Sequence, residues 1–273
     1  MNPINRTVSQ LAAAATVALS GSAYAAVIAH WDFSGPAGTT ASTISDVSGN
    51  GHNGTAINGP VYESLGGGSG LRFDGLNDRV FVSDSAAFRS PSLTVEAVVT
   101  LDALPGPGNL DQIVFRGDTR SGRDPFYLGI LDNRARFYIE GSGGAVAVHS
   151  SVTLPLGVSF HLAGTIDDAT GQMRLFLDGV EVGSTTTVHR PDTLALNGAF
   201  TPGLGIGNLQ DGQNQFLDGV IDEVRISDVA LRADQLLGAS VVGGGTVPEP
   251  GSLALLAGAL GLLAWRQRRV PAA

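Results

Sequence analysis

The fold of this chain is constrained most by its tight-turn dipeptides, which recur between short apolar runs. Asn-Gly occurs at residues 50, 53, 58 and 197, and Asp-Gly occurs at residues 74, 178, 211 and 218. These pairs accept the positive φ angles that two-residue hairpin turns require. The clearest hairpin has apolar strands at 173–177 and 180–182 on either side of Asp178-Gly179. The pattern predicts antiparallel strands and argues against alternating strand–helix units.

The runs between these turns are rich in β-branched and aromatic residues, and each has the length of one strand. The predicted strands are 27–33, 79–83, 93–101, 112–116, 126–131, 136–140, 146–152, 158–167, 173–177, 180–187, 203–207 and 220–227. A length of 273 residues favours one large domain in an all-β chain. We therefore predict a single antiparallel β-sandwich at residues 26–240, with a helical pattern only in the short window 231–237.

Residues 1–25 have the pattern of a secretory signal peptide. Arg6 and the amino terminus give a weakly positive start, and residues 11–19 form a short apolar stretch. Ala23 and Ala25 then place small residues at the two positions that signal peptidase recognises. We predict cleavage by signal peptidase after Ala25, and export of the chain.

The carboxyl-terminal end has a different pattern. A glycine-rich linker at 241–247 leads to the motif Pro248-Glu249-Pro250, an apolar run at 253–265 and three arginines. The run is shorter than the roughly 20 residues that span a bilayer, but the arginines lie where a cytoplasmic flank is expected. Residues 248–273 resemble the PEP-CTERM sorting signal of Gram-negative bacteria. The resemblance implies a transient inner-membrane anchor through 253–265, processing by an exosortase, and delivery to the cell surface or extracellular matrix.

Charge and composition exclude several functions. The chain has 16 basic residues, all of them arginine, against 25 acidic residues, and its net charge is −9. A protein that binds nucleic acid by neutralising phosphates needs a basic face, so no nucleic-acid partner is expected. Cysteine is absent, which removes disulfide bonds and thiol chemistry. An acidic domain of this kind suits cation binding.

Seven segments occur in an order that is typical of one family. They are Ala-His-Trp-Asp-Phe at 29–33, Asp-Val-Ser-Gly-Asn-Gly-His-Asn-Gly at 46–54, Leu-Arg-Phe-Asp-Gly at 71–75, Leu-Thr-Val-Glu-Ala at 93–97, Phe-His-Leu-Ala-Gly-Thr at 160–165, Leu-Phe-Leu-Asp-Gly at 175–179 and Gly-Val-Ile-Asp-Glu-Val-Arg-Ile-Ser at 219–227. Together they resemble the LamG-like jelly roll of the concanavalin A-like lectin/glucanase group, over about residues 28–237. The resemblance implies that the last long strand lies beside the first. It also implies glycan binding as the usual activity.

The best candidate for a ligand site is a calcium loop. Asp46, Ser48 and Asn50 place oxygen-bearing side chains at alternate positions before a glycine, as calcium loops do. Ile57 stands where an EF-hand has its bidentate glutamate, so the loop needs a carboxylate from elsewhere. If the last strand lies beside the first, Asp222 is expected to supply it. We predict a structural calcium ion at these four oxygen-bearing residues, and the alternative is an Asx turn that satisfies its own backbone.

No signature of catalysis is found. The string Glu-x-Asp-x-x-Glu, which hydrolases of this group often carry, is absent, and Glu96 has no carboxylate in register on its strand. His161 belongs to the core strand pattern of the family, which implies burial. The segment with Arg120, Arg123 and Asp124 beside Phe126-Tyr127 is the most polar, turn-rich segment that contains aromatics. It is a candidate binding loop, with a solvated loop as the alternative.

We therefore predict that the chain has no catalytic residues and is not an enzyme. The expected function is that of an exported, non-catalytic binding or adhesion module that recognises polysaccharide at the cell surface or in the matrix. Two alternatives stay open, which are a glycan-active hydrolase of the concanavalin A-like group and a purely structural matrix protein.

Overall fold

Residues 26–238 are described by a computed structural model, and they form strands and four single-turn 3₁₀ helices. The strands are β1 (Val27–Trp31), β2 (Thr43–Ile44), β3 (Gly54–Ile57), β4 (Val61–Leu65), β5 (Gly68–Asp74), β6 (Arg79–Ser83), β7 (Leu93–Leu101), β8 (Leu110–Gly117), β9 (Phe126–Leu131), β10 (Arg134–Gly141), β11 (Gly144–His149), β12 (Ser159–Ile166), β13 (Gln172–Leu177), β14 (Val180–Thr186), β15 (Gly203–Ile206) and β16 (Asp218–Ser227). The 3₁₀ turns are Ala86–Phe88, Pro191–Thr193, Gly198–Phe200 and Ala233–Gln235.

The strands form two antiparallel sheets of eight strands each. Sheet A has the order β14-β13-β12-β7-β16-β5-β4, and β1 also pairs with β16. Sheet B has the order β11-β10-β9-β8-β15-β6-β3-β2. The predicted neighbourhood of first and last strands is confirmed, because Trp31 of β1 lies in register with Val224 of β16.

The core lies between the two sheets and is made by alternation along the strands. On β9, Phe126, Leu128 and Ile130 are buried in the core, while Tyr127 and Gly129 point to the other side of sheet B. On β7, the residues with odd numbers from 93 to 101 are in the core, and Thr94 and Glu96 point outward. This period of two is the pattern that a half-buried strand requires. It gives each sheet an inner and an outer face.

The predicted all-β sandwich is confirmed, with four strands that the sequence did not reveal. These strands are β2, β3, β4 and β5. Residues 66 and 67 form the turn of a hairpin in which Leu65 of β4 pairs with Gly68 of β5. The expected helical window at 231–237 contains only the 3₁₀ turn Ala233–Gln235.

The predicted signal peptide and its Ala25, the linker at 241–247, the motif at 248–250 and the apolar run at 253–265 lie outside the described residues. Within residues 26–238, no helix has the length and apolar character that are needed to cross a membrane.

Residues 228–238, which we call the carboxyl-terminal segment, cover the outer face of sheet A. Leu231 and Leu236 pack against Ala163 and Phe176 there. The hydroxyl of Thr94 donates to the carbonyl of Val229 over 2.6 Å and accepts from the backbone N–H of Leu231. The outer face of sheet A is therefore buried over part of its area by the chain itself.

Candidate functional site

A cleft of about 580 Å³ lies on the outer face of sheet B. Its floor is formed by β8, β9 and β10, and its walls come from residues 118–124 and 209–215. The second wall can reach the sheet because β15 has Gly205 at this point. A Cβ atom on Gly205 would lie 2.2 Å from the carbonyl oxygen of Asn208, so a larger residue would push the wall away.

A row of aromatic rings crosses the floor of the cleft. Phe115, Tyr127 and Tyr138 are cross-strand neighbours on β8, β9 and β10. The rings of Tyr127 and Tyr138 stack with centroids 4.6 Å apart and planes 11° apart, and Phe115 lies 6.4 Å from Tyr127. Burial raises the pKa of Tyr138 to about 12, so its hydroxyl stays protonated. A flat apolar face with a polar rim is the kind of surface on which sugar rings pack.

Amide side chains beside the aromatic row have hydrogen-bonding atoms without protein partners. Gln112 and Gln210 are 1% and 3% exposed. The Gln112 amide donates to Gln215 over 2.7 Å, but its oxygen accepts no hydrogen bond within the described residues. The Gln210 amide nitrogen likewise has no acceptor there. Buried polar atoms are normally paired, so these atoms are suited to a polar ligand.

Gly129 makes room for one of these amides. A Cβ atom on Gly129 would lie 3.0 Å from the side-chain oxygen of Gln112 and 2.7 Å from the carbonyl oxygen of Asp111. The next strand has Arg136 directly opposite Gly129. The glycine therefore leaves a gap in the floor between the Gln112 amide and the Arg136 side chain.

Two arginines line the cleft, and they differ in whether a carboxylate pairs with them. Arg120 pairs with Asp118, and its guanidinium also donates to the carbonyl of Ala195 over 3.2 Å. Arg136 lies over the rings of Tyr127 and Tyr138, at 5.4 and 5.3 Å from their centroids. Such cation–π contacts fix the guanidinium in place without neutralising it.

A pair of carboxyl groups lies at one end of the cleft. Asp124 lines the cleft, and its backbone N–H donates to the carboxylate of Glu140 over 3.2 Å. Burial, the Glu140 carboxylate and then Asp118 raise the pKa of Asp124 to about 6. Asp124 is thus the acid of the cleft whose charge changes near neutral pH.

The candidate binding loop of the sequence analysis is part of this cleft. Arg120, Asp124 and Tyr127 line it, whereas Arg123 does not and Phe126 is buried in the core. Sequence reasoning missed Gln112, Gln210 and the role of Arg136. The available signal was alternation, because residues 127, 136 and 138 are out of phase with the apolar residues of their strands. The two glutamines lie on separate segments and carry no such signal.

Glu96 has a structural environment in this fold. It is fully buried, and its carboxylate accepts hydrogen bonds from His161, Arg225 and the backbone N–H of Leu237, at 3.0, 2.7 and 2.7 Å. These bonds hold the carboxyl-terminal segment on sheet A. The expected burial of His161 is confirmed, at 7% exposure.

The predicted calcium loop is ordered by its own hydrogen bonds. One carboxylate oxygen of Asp46 accepts from the backbone N–H groups of His30 and Ser48, and the other accepts from His52, all within 3.0 Å. The side-chain amide of Asn50 donates to the carbonyls of Val27 and Ile28. Burial alone would raise the pKa of Asp46, but the hydrogen bonds that its carboxylate accepts from the Ser48 side chain and from the backbone of His30, Ser48 and His52 lower it overall. Three of the roughly four acceptor positions of the Asp46 carboxylate are therefore already used, as in the Asx-turn alternative.

Asp222 lies at a bulge in β16. The strand pairs with β5 on one side of the bulge and with β1 on the other. The Glu223 carboxylate contacts the ring of His30, and the backbone N–H of His30 donates a hydrogen bond to Asp46. Burial and the charges of Glu223 and Asp32 raise the pKa of Asp222. Among residues 26–238, no group of three or more His, Cys, Asp or Glu side chains is placed to hold a metal ion. Calcium therefore stays a prediction.

Comparisons with known proteins bear on the fold and on the tail. The family model for the Concanavalin A-like lectin/glucanases superfamily, Laminin_G_3, matches residues 73–237. The PEP-CTERM protein-sorting motif matches residues 246–269, which indicates an exported cell-surface protein and implies processing by an exosortase. No curated protein matches the sequence.

Solved structures with a similar fold include domain 4 of AbnA, a GH43 extracellular arabinanase from Geobacillus stearothermophilus, in complex with arabinotriose. That match has 20% identity and a TM-score of 0.56, and it covers 77% of this chain and 96% of that one. The binding domain of Paraclostridial Mosquitocidal Protein 1 has 15% identity and a TM-score of 0.57, over 76% of this chain and 50% of that one.

A sialidase from Trypanosoma rangeli has 16% identity and a TM-score of 0.52, over 76% of this chain but only 31% of the sialidase. At these identities the likeness concerns the fold alone. The family model, in contrast, spans more than half of the sequence. This chain is a member of the concanavalin A-like lectin/glucanases superfamily.

Proposed function

We propose that this protein is a non-catalytic polysaccharide-binding module that acts in adhesion at the cell surface or in the extracellular matrix. The cleft on sheet B is the proposed binding site. The tail is proposed to anchor the chain transiently in the inner membrane of a Gram-negative cell, through residues 253–265, until an exosortase removes it.

One observation carries the proposal, which is the combination of the aromatic row with unpartnered buried amides. Tyr138, which stacks on the buried Tyr127, supplies the aromatic surface, and Gln112 and Gln210 supply an unpartnered acceptor and an unpartnered donor beside it. A sugar ring needs both kinds of contact at once, since its C–H face is apolar and its hydroxyl groups must be hydrogen-bonded. The arabinanase domain with bound arabinotriose supports the proposal only as a fold precedent.

A glycan array on the purified full chain tests this function, read once in calcium and once in a chelator. The variant Tyr138→Ala is expected to lose binding by about tenfold or more, because stacking on one ring is worth roughly 1 kcal/mol or more beyond its buried area. The control is Phe81→Ala, which removes a half-buried aromatic from the same face of sheet B outside the cleft. No binding to any glycan would favour the purely structural matrix protein.

The Asp124–Glu140 pair favours one other function, that of a glycan hydrolase. Hydrolysis needs a carboxylic acid that is still protonated near neutral pH and a second carboxylate nearby. The raised pKa of Asp124 and its position beside Glu140 meet the first requirement and part of the second. Release of reducing ends from a bound glycan, abolished by Asp124→Asn, would establish the hydrolase. Binding without release would support the non-catalytic module.

A further inference from the structure

Arg136 is the cation of the cleft that has no carboxylate partner. No Asp or Glu in residues 26–238 lies within ion-pair distance of its guanidinium, and its buried Nε atom has no hydrogen-bond acceptor there. Arg120 in the same cleft is paired with Asp118. The fully buried Arg116 is paired with Asp84, and the half-buried Arg225 is paired with Glu96.

Arg136 shares the lack of an ion pair and a buried, unpartnered Nε with Arg79 among residues 26–238, but Arg79 does not line the cleft. With 25 acidic residues against 16 basic ones, carboxylates are in excess, and pairing would offset the cost of burying part of a guanidinium. The Arg136 side chain is nevertheless held by cation–π contacts with two tyrosine rings, and its Nε has no hydrogen-bond acceptor within residues 26–238. That arrangement suits an external anion that accepts from the guanidinium edge.

Asp124 and Glu140 lie on the other side of the aromatic row from Arg136. Along β10, Arg136 precedes Tyr138 by two residues and Glu140 follows it by two. Along the neighbouring strand, Gly129 lies opposite Arg136, and Asp124 precedes Tyr127. The cleft therefore has a cationic end near Arg136 and an acidic end near Asp124, with the tyrosine pair between them.

We infer that the polysaccharide bound in this cleft contains uronic acid, and that its carboxylate binds Arg136 while its pyranose ring packs on Tyr138. This inference rests on the proposed function and names the class of glycan for the same site. The hydroxyl groups of the sugar then reach Gln112 and Gln210. A neutral sugar would leave the Arg136 donors unused, and an ammonium group in the position of the carboxylate would be repelled by the guanidinium.

The test compares acid and ester forms of the same glycan. Oligogalacturonate, oligomannuronate and a glucuronate-containing oligosaccharide are titrated into the full chain, each beside its methyl ester. Esterification removes the charge and leaves the ring unchanged. The acid form is expected to bind at least about tenfold more tightly than its ester, as a charge-assisted pair does.

The variant Arg136→Gln assigns that preference to one residue. It is expected to weaken binding of the acid form by about the same factor and to leave the ester unchanged, so that the two changes are not additive. Arg134→Gln is the matched control, because Arg134 is an exposed arginine on the same face of β10 that does not line the cleft.

The outcomes separate this inference from the proposed function. Equal binding of acid and ester, binding of neutral glycans alone, or an acid preference that survives Arg136→Gln would each overturn the inference and leave the binding module intact. No binding to any glycan would overturn both. If Arg136→Gln does not fold, the acid–ester comparison on the natural chain still decides whether the carboxylate is recognised.

Discussion

The outer faces of the two sheets differ in whether their buried polar side chains have hydrogen-bond partners within the protein. On sheet A, the carboxyl-terminal segment lies over Thr94 and Glu96, and each of these side chains is hydrogen-bonded to it. On sheet B, the cleft is open, and Gln112 and Gln210 have buried amide atoms without partners. Both faces are built from strands of similar length in the same sandwich.

This difference distinguishes polar groups that stabilise the fold from polar groups that are available to a ligand. Removing a group that is hydrogen-bonded within the protein leaves its partners unsatisfied and costs stability. Removing a group without a protein partner costs the fold little and affects binding instead. The predictions below test this distinction, beginning with the largest effect.

Glu96→Ala is expected to lower the free energy of unfolding by about 3 kcal/mol or more, because it leaves Arg225 and His161 without their shared carboxylate. Thermal or urea unfolding measures the loss, and limited proteolysis should cut earlier within residues 228–238. Glu181→Ala is the control, since its pair with Arg174 is about 40% exposed and should change stability by about 1 kcal/mol or less. Similar small losses in both variants would show that Glu96 does not hold the segment.

Variants of Asp46 and Asp222 test whether the predicted calcium loop is stabilised by its own hydrogen bonds, like the outer face of sheet A, or by a bound ligand. Asp46→Ala is expected to cost about 2 kcal/mol in calcium and in a chelator alike, because three backbone N–H groups lose their acceptor. Asp222→Asn is expected to raise the melting temperature slightly at neutral pH, since burial and then the charges of Glu223 and Asp32 disfavour the charged form. Losses in both variants that appear only in calcium would establish the predicted calcium site.

The sequence predicted the sandwich better than the cleft, for a physical reason. Strands such as β7 and β9 are specified locally by alternation and by flanking turns, so their positions follow from short windows. The strands β2 and β3 were missed because they have only two and four residues, and β5 was missed because it begins with Gly-Ser-Gly; pairing in the sheet stabilises them. The cleft joins Gln112 on β8 to Gln210 in a distant loop, and only the closed sheet brings them together.

The raised pKa of Asp124, in the cleft on sheet B, predicts how the free energy of unfolding depends on pH. An unfolded Asp titrates near about 3.9, but burial raises the pKa of Asp124 to about 6. The folded state therefore holds the proton more tightly, so this contribution to stability is present below about pH 4 and is lost as the pH rises through 6. Asp124→Asn is expected to gain about 1–2 kcal/mol at pH 7, after allowance for solvent screening, and nothing at pH 3.5.

Melting curves at several pH values measure this gain. Asp111→Asn is the matched variant, because burial and Asp218 also raise the pKa of Asp111 to about 6, and its side chain does not line the cleft. Both variants should gain stability, while only Asp124→Asn should change the pH dependence of glycan binding. The same gain at pH 3.5 would mean that ionisation is not the cause.

The smallest expected effects come from replacing one polar residue on the outer face of each sheet. Thr94→Val keeps the shape of the side chain but removes both hydrogen bonds to the carboxyl-terminal segment, so it is expected to cost about 1–2 kcal/mol and to leave glycan binding unchanged. Gln210→Leu removes a buried amide nitrogen that has no partner in residues 26–238, so stability should be unchanged or slightly higher. Glycan affinity should fall instead, since the sugar loses a donor. If Gln210→Leu destabilised the fold as much as Thr94→Val, that amide would be serving the structure through an ordered water molecule, and the contrast between the two faces would disappear.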